Sequence, residues 1–342
     1  VKQCHAFAAL VAACLLCLPL RVPAAGDGGG QALAEAAGRE LIGRPAPRLV
    51  LKTIDGQPID LGALYGRQAV YLKFWATWCT PCREQMPHFE RTYEQAGPDL
   101  AVIAVDTGFD DSPEQVRRFR DAMRLNMPVV IDDGRLAAAL NLRVTPQHVV
   151  IGRDGRVRYV GHLVDAALEQ ALADARGAPA VAAGAGAPAA DEPRYAVGDV
   201  LPALAPRTLD GKAFPLHAAQ QPTVLVFFSP WCESYLATTR PALSADCRTA
   251  RRQAQRLAAG GRVRWLGIAS GLWATPKDLA AYRKRYGVAV PLTLDESGAL
   301  FRGFGVSQVP ALLLADAQGR IVRRIDGVDA QLPAALEALR QP

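Results

Sequence analysis

The sequence predicts an α/β fold built as two tandem copies of one domain, each a mixed central sheet flanked by helices. Three observations carry this expectation. Apolar runs, helix starts and turn signals follow the order β-α-β-α-β-β-α in each half. The landmarks of the first half recur in the second, as in a repeat. Residues 174–196, rich in Ala, Gly and Pro and without apolar periodicity, separate the halves and read as a linker.

The elements pair off in order. Gly43-Arg44-Pro45-Ala46-Pro47 before Thr53-Ile54-Asp55-Gly56 is matched by Gly198-Asp199-Val200-Leu201-Pro202 before Thr208-Leu209-Asp210-Gly211, with Leu61 and Leu216 following. The apolar run Ala69–Trp75 predicts a buried strand and is matched by Pro222–Phe228. Leu100–Val105 and Val263–Ile268 predict the next strands. Ser112-Pro113 and Thr275-Pro276 then place a hydroxyl cap before a proline at the first helical position. Met127–Asp132 and Val290–Asp295 read as short strands. Asp154-Gly155 and Gln318-Gly319 supply the turns of two hairpins, Val149–Tyr159 and Ala311–Val322, each followed by a helix.

A chain of 342 residues accommodates two cores, and 50% hydrophobic with 21% charged residues is a globular composition. The net charge of +6 is dispersed, and Arg117-Arg118, Arg251-Arg252 and Arg323-Arg324 are not interleaved with aromatics. This argues against a nucleic-acid partner, which needs charge gathered on one face.

Residues 1–25 read as a leader rather than as part of the fold. Lys2 precedes the apolar stretch Ala6–Leu20, and Val22-Pro23-Ala24 fits a cleavage site. The stretch is shorter than the roughly 20 residues that span a bilayer. An uncleaved anchor and a lipoprotein, from Val11-Ala12-Ala13-Cys14, are the alternatives. A periplasmic or otherwise exported location is therefore expected. Without the leader, seven cysteines become four: Cys79, Cys82, Cys232 and Cys247. Four in an exported chain of this size make no disulfide scaffold, so they are read as chemistry.

Cys79 and Cys82 flank Thr80-Pro81 at the junction of the first buried strand and a helix-like segment. Helix amides and the macrodipole favour a thiolate there, and the thiolate is the nucleophile of disulfide exchange. The pair can therefore attack with Cys79 and resolve with Cys82. A structural disulfide or half a zinc site is the plainer reading. Zinc needs two further ligands, and His88, His148 and His162 do not have finger or ribbon spacing.

Trp78-Cys79, Pro81-Cys82, Pro87 five residues beyond, and Val144-Thr145-Pro146 before a hairpin together resemble the thioredoxin fold. The Gly43-to-Pro47 opening and the Asp-Gly turns resemble its exported branch, the TlpA/ResA-type thiol–disulfide oxidoreductases. The resemblance covers residues 41–173 and, more weakly, 197–340, so the chain is identified as two tandem thioredoxin-like domains. It implies an enzyme whose redox centre is the Cys79–Cys82 disulfide, with no other cofactor and no metal. It also implies protein thiol or disulfide substrates and a membrane thiol-reductant transporter as electron donor. Trp78, Pro81, Thr145 and Pro146 would position substrate, with Pro146 cis. Thioredoxin has a buried aspartate where this chain has Lys73. Its ammonium would favour the thiolate if it faces the pair; otherwise the stem snorkels outward.

The second copy keeps Trp231, Cys232 and Val309-Pro310 but has Tyr235 at the resolving position. Three readings are open: a redox-silent docking or scaffold domain, a monothiol, and a Cys232–Cys247 couple with peroxidase-like logic. Fifteen residues of continuous helix would hold those cysteines about 22 Å apart. A disulfide needs Cα atoms within roughly 7 Å. Joining them would thus require a break near Pro241. A copper-binding, metallochaperone-like module is the alternative from another class.

Overall fold

The computed structural model describes residues 27–178, 194–218, 220–261 and 263–339. The expected leader and most of the expected linker lie outside these residues. Helix α1 (Asp27–Leu41) comes first, then a ribbon of β1 (Val50–Lys52) and β2 (Pro58–Asp60) and the single turn α2 (Leu61–Leu64). The first domain continues as β3 (Ala69–Trp75), α3 (Thr80–Glu94), β4 (Leu100–Asp106), α4 (Pro113–Met123) and β5 (Val129–Ile131). It closes with α5 (Arg135–Ala139), β6 (Gln147–Ile151), β7 (Val157–Gly161) and α6 (Ala166–Gly177). The last helix overlaps the start of the expected linker, because Ala175 continues past Asp174 the buried helical face begun by Leu168 and Leu172.

The second domain runs β8 (Thr223–Phe228), α7 (Cys232–Thr239), α8 (Pro241–Ala258), β9 (Arg264–Ser270), α9 (Pro276–Tyr286) and β10 (Leu292–Asp295). It ends with α10 (Ala299–Gly303), β11 (Ala311–Ala315), β12 (Ile321–Asp326) and α11 (Leu332–Ala338). The two five-stranded sheets share one topology, β5-β4-β3-β6-β7 and β10-β9-β8-β11-β12. Their first three strands are parallel and the hairpins antiparallel. No described helix is long and apolar enough to cross a membrane.

β3 is central, and all seven of its residues are buried. Tyr71 and Trp75 pack with Met86 and Phe89 of α3 on one face. Val70, Leu72 and Phe74 pack with Ala37 of α1 and Leu136 of α5 on the other. Helix α4 starts on a capping box of Ser112 and Gln115, and α9 on one of Thr275 and Asp278, each followed by proline. One apolar cluster passes between the domains. Trp78 meets Trp231 at 5.0 Å between ring centroids, and Phe109 meets Phe301 at 6.0 Å.

The segment after Trp231 departs from the continuous helix considered above. α7 ends at Thr239, and α8 restarts with Pro241, which has no N–H to continue the ladder. The two helices pack together, and Cys232 and Cys247 come within 6.3 Å between Cα atoms as a disulfide.

Candidate active site

The site begins where buried β3 gives way to α3. Cys79 is the N-cap of this 15-residue helix, with Pro81 in its first turn. Cys79 and Cys82 are joined as a disulfide with Cα atoms 5.3 Å apart. Cys79 Sγ accepts the Cys82 amide at 3.2 Å and lies 3.4 Å from Thr145 O. On reduction, a Cys79 thiolate would keep the amide bond and face the positive end of the helix macrodipole, both of which stabilise the anion. The Thr145–Pro146 and Val309–Pro310 peptides are both cis. Trp78 is fixed by its indole N–H, which donates to Phe109 O at 2.8 Å.

Behind the pair lies a buried polar chain that sequence reasoning missed. Gln85, three residues after Cys82, donates to His162 O at 3.2 Å and faces His148 Nε2 with its carbonyl oxygen at 2.8 Å. Since that oxygen only accepts, Nε2 carries the proton and Nδ1 accepts from the Tyr71 hydroxyl at 2.8 Å. Burial pushes His148 well below the usual imidazole range, so it is neutral. His162 Nδ1 donates to Pro146 O at 2.7 Å, tying the proline loop to the same chain. Sheet register explains the placement. β6 runs antiparallel to β3, setting His148 opposite Lys73.

Lys73 corrects one of the two readings made for it. It is fully buried because both faces of β3 are covered, so its stem does not snorkel outward. Its amine has no hydrogen-bond partner and sits 5.5 Å from the centre of the Phe89 ring. Burial drives its pKa well down, which disfavours the ammonium that would support a thiolate.

Second-domain residues complete the surroundings. Tyr235, read as a lost thiol, accepts the Thr80 amide with its hydroxyl at 3.1 Å. The Arg240 guanidinium reaches Asp111 Oδ1 at 2.6 Å and Thr77 Oγ1 at 2.5 Å, and also donates to Asp110 O. Cys232 and Cys247 are buried in their own domain, joined to each other as a second disulfide. Among the described residues, no group of three or more His, Cys, Asp or Glu side chains could hold a metal ion.

This arrangement can exchange a disulfide, and known proteins with related sequences agree. The profile of the AhpC/TSA family matches residues 42–160. Thioredoxin-like protein YneN of Bacillus subtilis is 36% identical over 133 residues, covering 38% of this chain and 78% of that protein. Thiol-disulfide oxidoreductase ResA of Halalkalibacterium halodurans is 36% identical over 118 residues, 34% of this chain and 65% of its own length. The B. subtilis ResA is 34% identical over 125 residues, 35% of this chain and 68% of its own. A crystal structure of a thioredoxin-family thiol:disulfide interchange protein from Chlorobium tepidum is 25% identical, covers 39% of this chain and 96% of that one, and superposes with a TM-score of 0.35. The chain belongs to the thioredoxin-like family of thiol–disulfide oxidoreductases.

Proposed function

We propose that the chain is an exported enzyme that exchanges dithiol for disulfide with protein substrates, Cys79 attacking and Cys82 resolving. In the reducing direction, a Cys79 thiolate attacks one sulfur of a substrate disulfide and expels the other as a thiolate. A mixed disulfide forms. The Cys82 thiolate then attacks Cys79 Sγ, the second substrate sulfur leaves, and two electrons have passed from the pair to the substrate. The oxidising direction is the same sequence reversed.

The observation that carries this reading is Cys79 at the N-cap of α3, its sulfur on the Cys82 amide and beside Thr145 O. Trp78, Pro81, Thr145 and Pro146 shape the ground on which a substrate would lie. The redox centre is the cysteine pair itself, and a membrane thiol transporter of the kind the family uses is the proposed reductant. Export rests on the leader-like residues 1–25.

The second domain, within 197–340, is proposed to dock against the first without sharing its chemistry. The joined Cys232 and Cys247 favour a couple over a free monothiol as the second reading for that half. Dithiothreitol-driven reduction of insulin tests the main proposal. It should be abolished by Cys79→Ser and retained by Cys232→Ser; the opposite pattern would reverse the roles. Copper titration of the reduced protein tests the metallochaperone alternative, which predicts stoichiometric binding lost with the pair.

A further inference from the structure

Cys79 and Cys82 are 1% and 0% exposed, yet exchange requires a sulfur to reach them. The neighbouring cavity of about 550 Å³ is walled by Trp78, Thr80 and Arg240 among others, but not by Cys79. The second domain lies against this end of the first.

The contacts between the domains are reciprocal. The loops after β4 and β9 each use a carbonyl to hold the tryptophan of their own domain. Trp78 donates to Phe109 O at 2.8 Å, and Trp231 donates to Leu272 O at 2.7 Å. The next residues, Asp110 and Trp273, both have a φ of 56°, a left-handed conformation rare for such side chains. Each sends its amide across the interface. Asp110 N donates to Ser307 O at 2.8 Å, and Trp273 N donates to Arg143 O at 2.9 Å. Arg143 and Ser307 each stand three residues before the cis proline of their domain. The two domains clasp one another by the same edge.

The side chains then break the symmetry. Asp110 Oδ1 accepts from Val309 N at 3.0 Å. Trp273 Nε1 donates to Thr145 Oγ1 at 3.1 Å, and its ring meets His162 edge-on at 5.4 Å between centroids. Thr145 and His162 are 0% and 1% exposed, so this seat is built and filled.

We propose that the second domain is a built-in occupant of the first domain's exchange face, and that Trp273 must withdraw before a polypeptide partner reaches Cys79. The proposal rests on Cys79 being the exchanging sulfur. The occupant describes the partner that replaces it: a cysteine-bearing segment with an N–H free for Arg143 O and a flat aromatic side chain for His162. Loops and unfolded chains meet that description.

Thiol labelling of the full chain carrying Cys82→Ser tests it, with Cys232 and Cys247 left oxidised and Cys79 read by peptide mass. N-ethylmaleimide and a long polyethylene-glycol maleimide differ only in bulk. In the parent the polymer reagent should lag well behind the small one. Trp273→Ala should raise polymer labelling by about tenfold, the scale of one lost hydrogen bond with its packing. Trp273→Phe, which keeps a ring without the indole N–H, should fall between. Tyr235→Phe removes only the acceptor of the Thr80 amide and should raise labelling a few-fold. Parent-like rates in both Trp273→Ala and Tyr235→Phe, with no lag of the polymer in the parent, would overturn the proposal. Insulin reduction, followed in parallel on chains retaining Cys82, separates the two claims. Raised labelling with no reduction by any chain supports the cover and removes the exchange reading. Unchanged labelling with reduction intact removes the cover alone.

Discussion

Arg240 is the strongest polar tie between the domains, and removing it gives a sharp prediction. Its pair with Asp111 spans 2.6 Å, with the two side chains 17% and 0% exposed. Breaking one partner of a buried ion pair costs roughly 3–5 kcal/mol, because the other charge is left in a poor solvent. Asp111 would keep the Thr77 amide at 2.8 Å and the Thr77 hydroxyl at 2.5 Å, so the loss in Arg240→Met is taken as about 2–4 kcal/mol. A further interdomain ion pair, Arg143–Glu296 at 3.2 Å with Glu296 51% exposed, is too weak to compensate, since such pairs contribute about 0–1 kcal/mol. At 1.36 kcal/mol per tenfold, domain opening should become about 30- to 900-fold more populated. Four amides report it: Thr80, Asp110, Trp273 and Val309, each bonded to the opposite domain. Their hydrogen-exchange protection should fall together by that factor, while amides inside β3 and β8 stay protected. Unchanged protection at all four would refute the account of what holds the domains together.

Three further perturbations follow from single groups. Burial pushes Asp110 up to about 7, with Asp111 adding and the Val309 amide and Arg240 opposing. Its carboxyl is therefore mostly protonated in the closed chain below about pH 7, and its pKa returns toward about 3.9 on opening. Closure should weaken as pH rises from about 4 to about 7 and level off above, and Asp110→Asn should flatten that slope in exchange corrected for intrinsic rates. Lys73→Met replaces an unpartnered buried amine by an apolar chain of similar length. It should leave the melting temperature unchanged or raise it, by about 1–2 kcal/mol equivalent; a marked fall would mean that the amine has a partner. Cys247→Ser opens a disulfide of sequence separation 15 and should destabilise the second domain by about 3 kcal/mol in thermal unfolding, with insulin reduction retained.

Legibility from sequence followed locality. Strand β3 coincides with its apolar run Ala69–Trp75, and α4 and α9 begin at the Ser112 and Thr275 caps, because these signals lie within a few residues. Helix α1 was not read: its buried side chains include Ala34 and Ala37, too small to make a clear apolar stripe. The Cys232–Cys247 pairing looked barred by helix length, and Pro241 was the one hint of the corner that permits it. The interface was not readable at all. Asp110, Arg143, Arg240 and Trp273 are far apart in sequence and ordinary in type, and only folding brings them together. Tyr235 shows the limit well. Aligned to a cysteine it meant a loss, whereas in space its hydroxyl serves the helix that carries Cys79 and Cys82.

The most direct measurement is the mass-spectrometric location of a trapped intermediate. Cys82→Ser, reduced at Cys79 and mixed with oxidised insulin, should accumulate a mixed disulfide with one insulin chain on Cys79 and nowhere else. A trap on Cys232, or none while the unaltered chain reduces insulin, would contradict the claim that Cys79 opens the exchange.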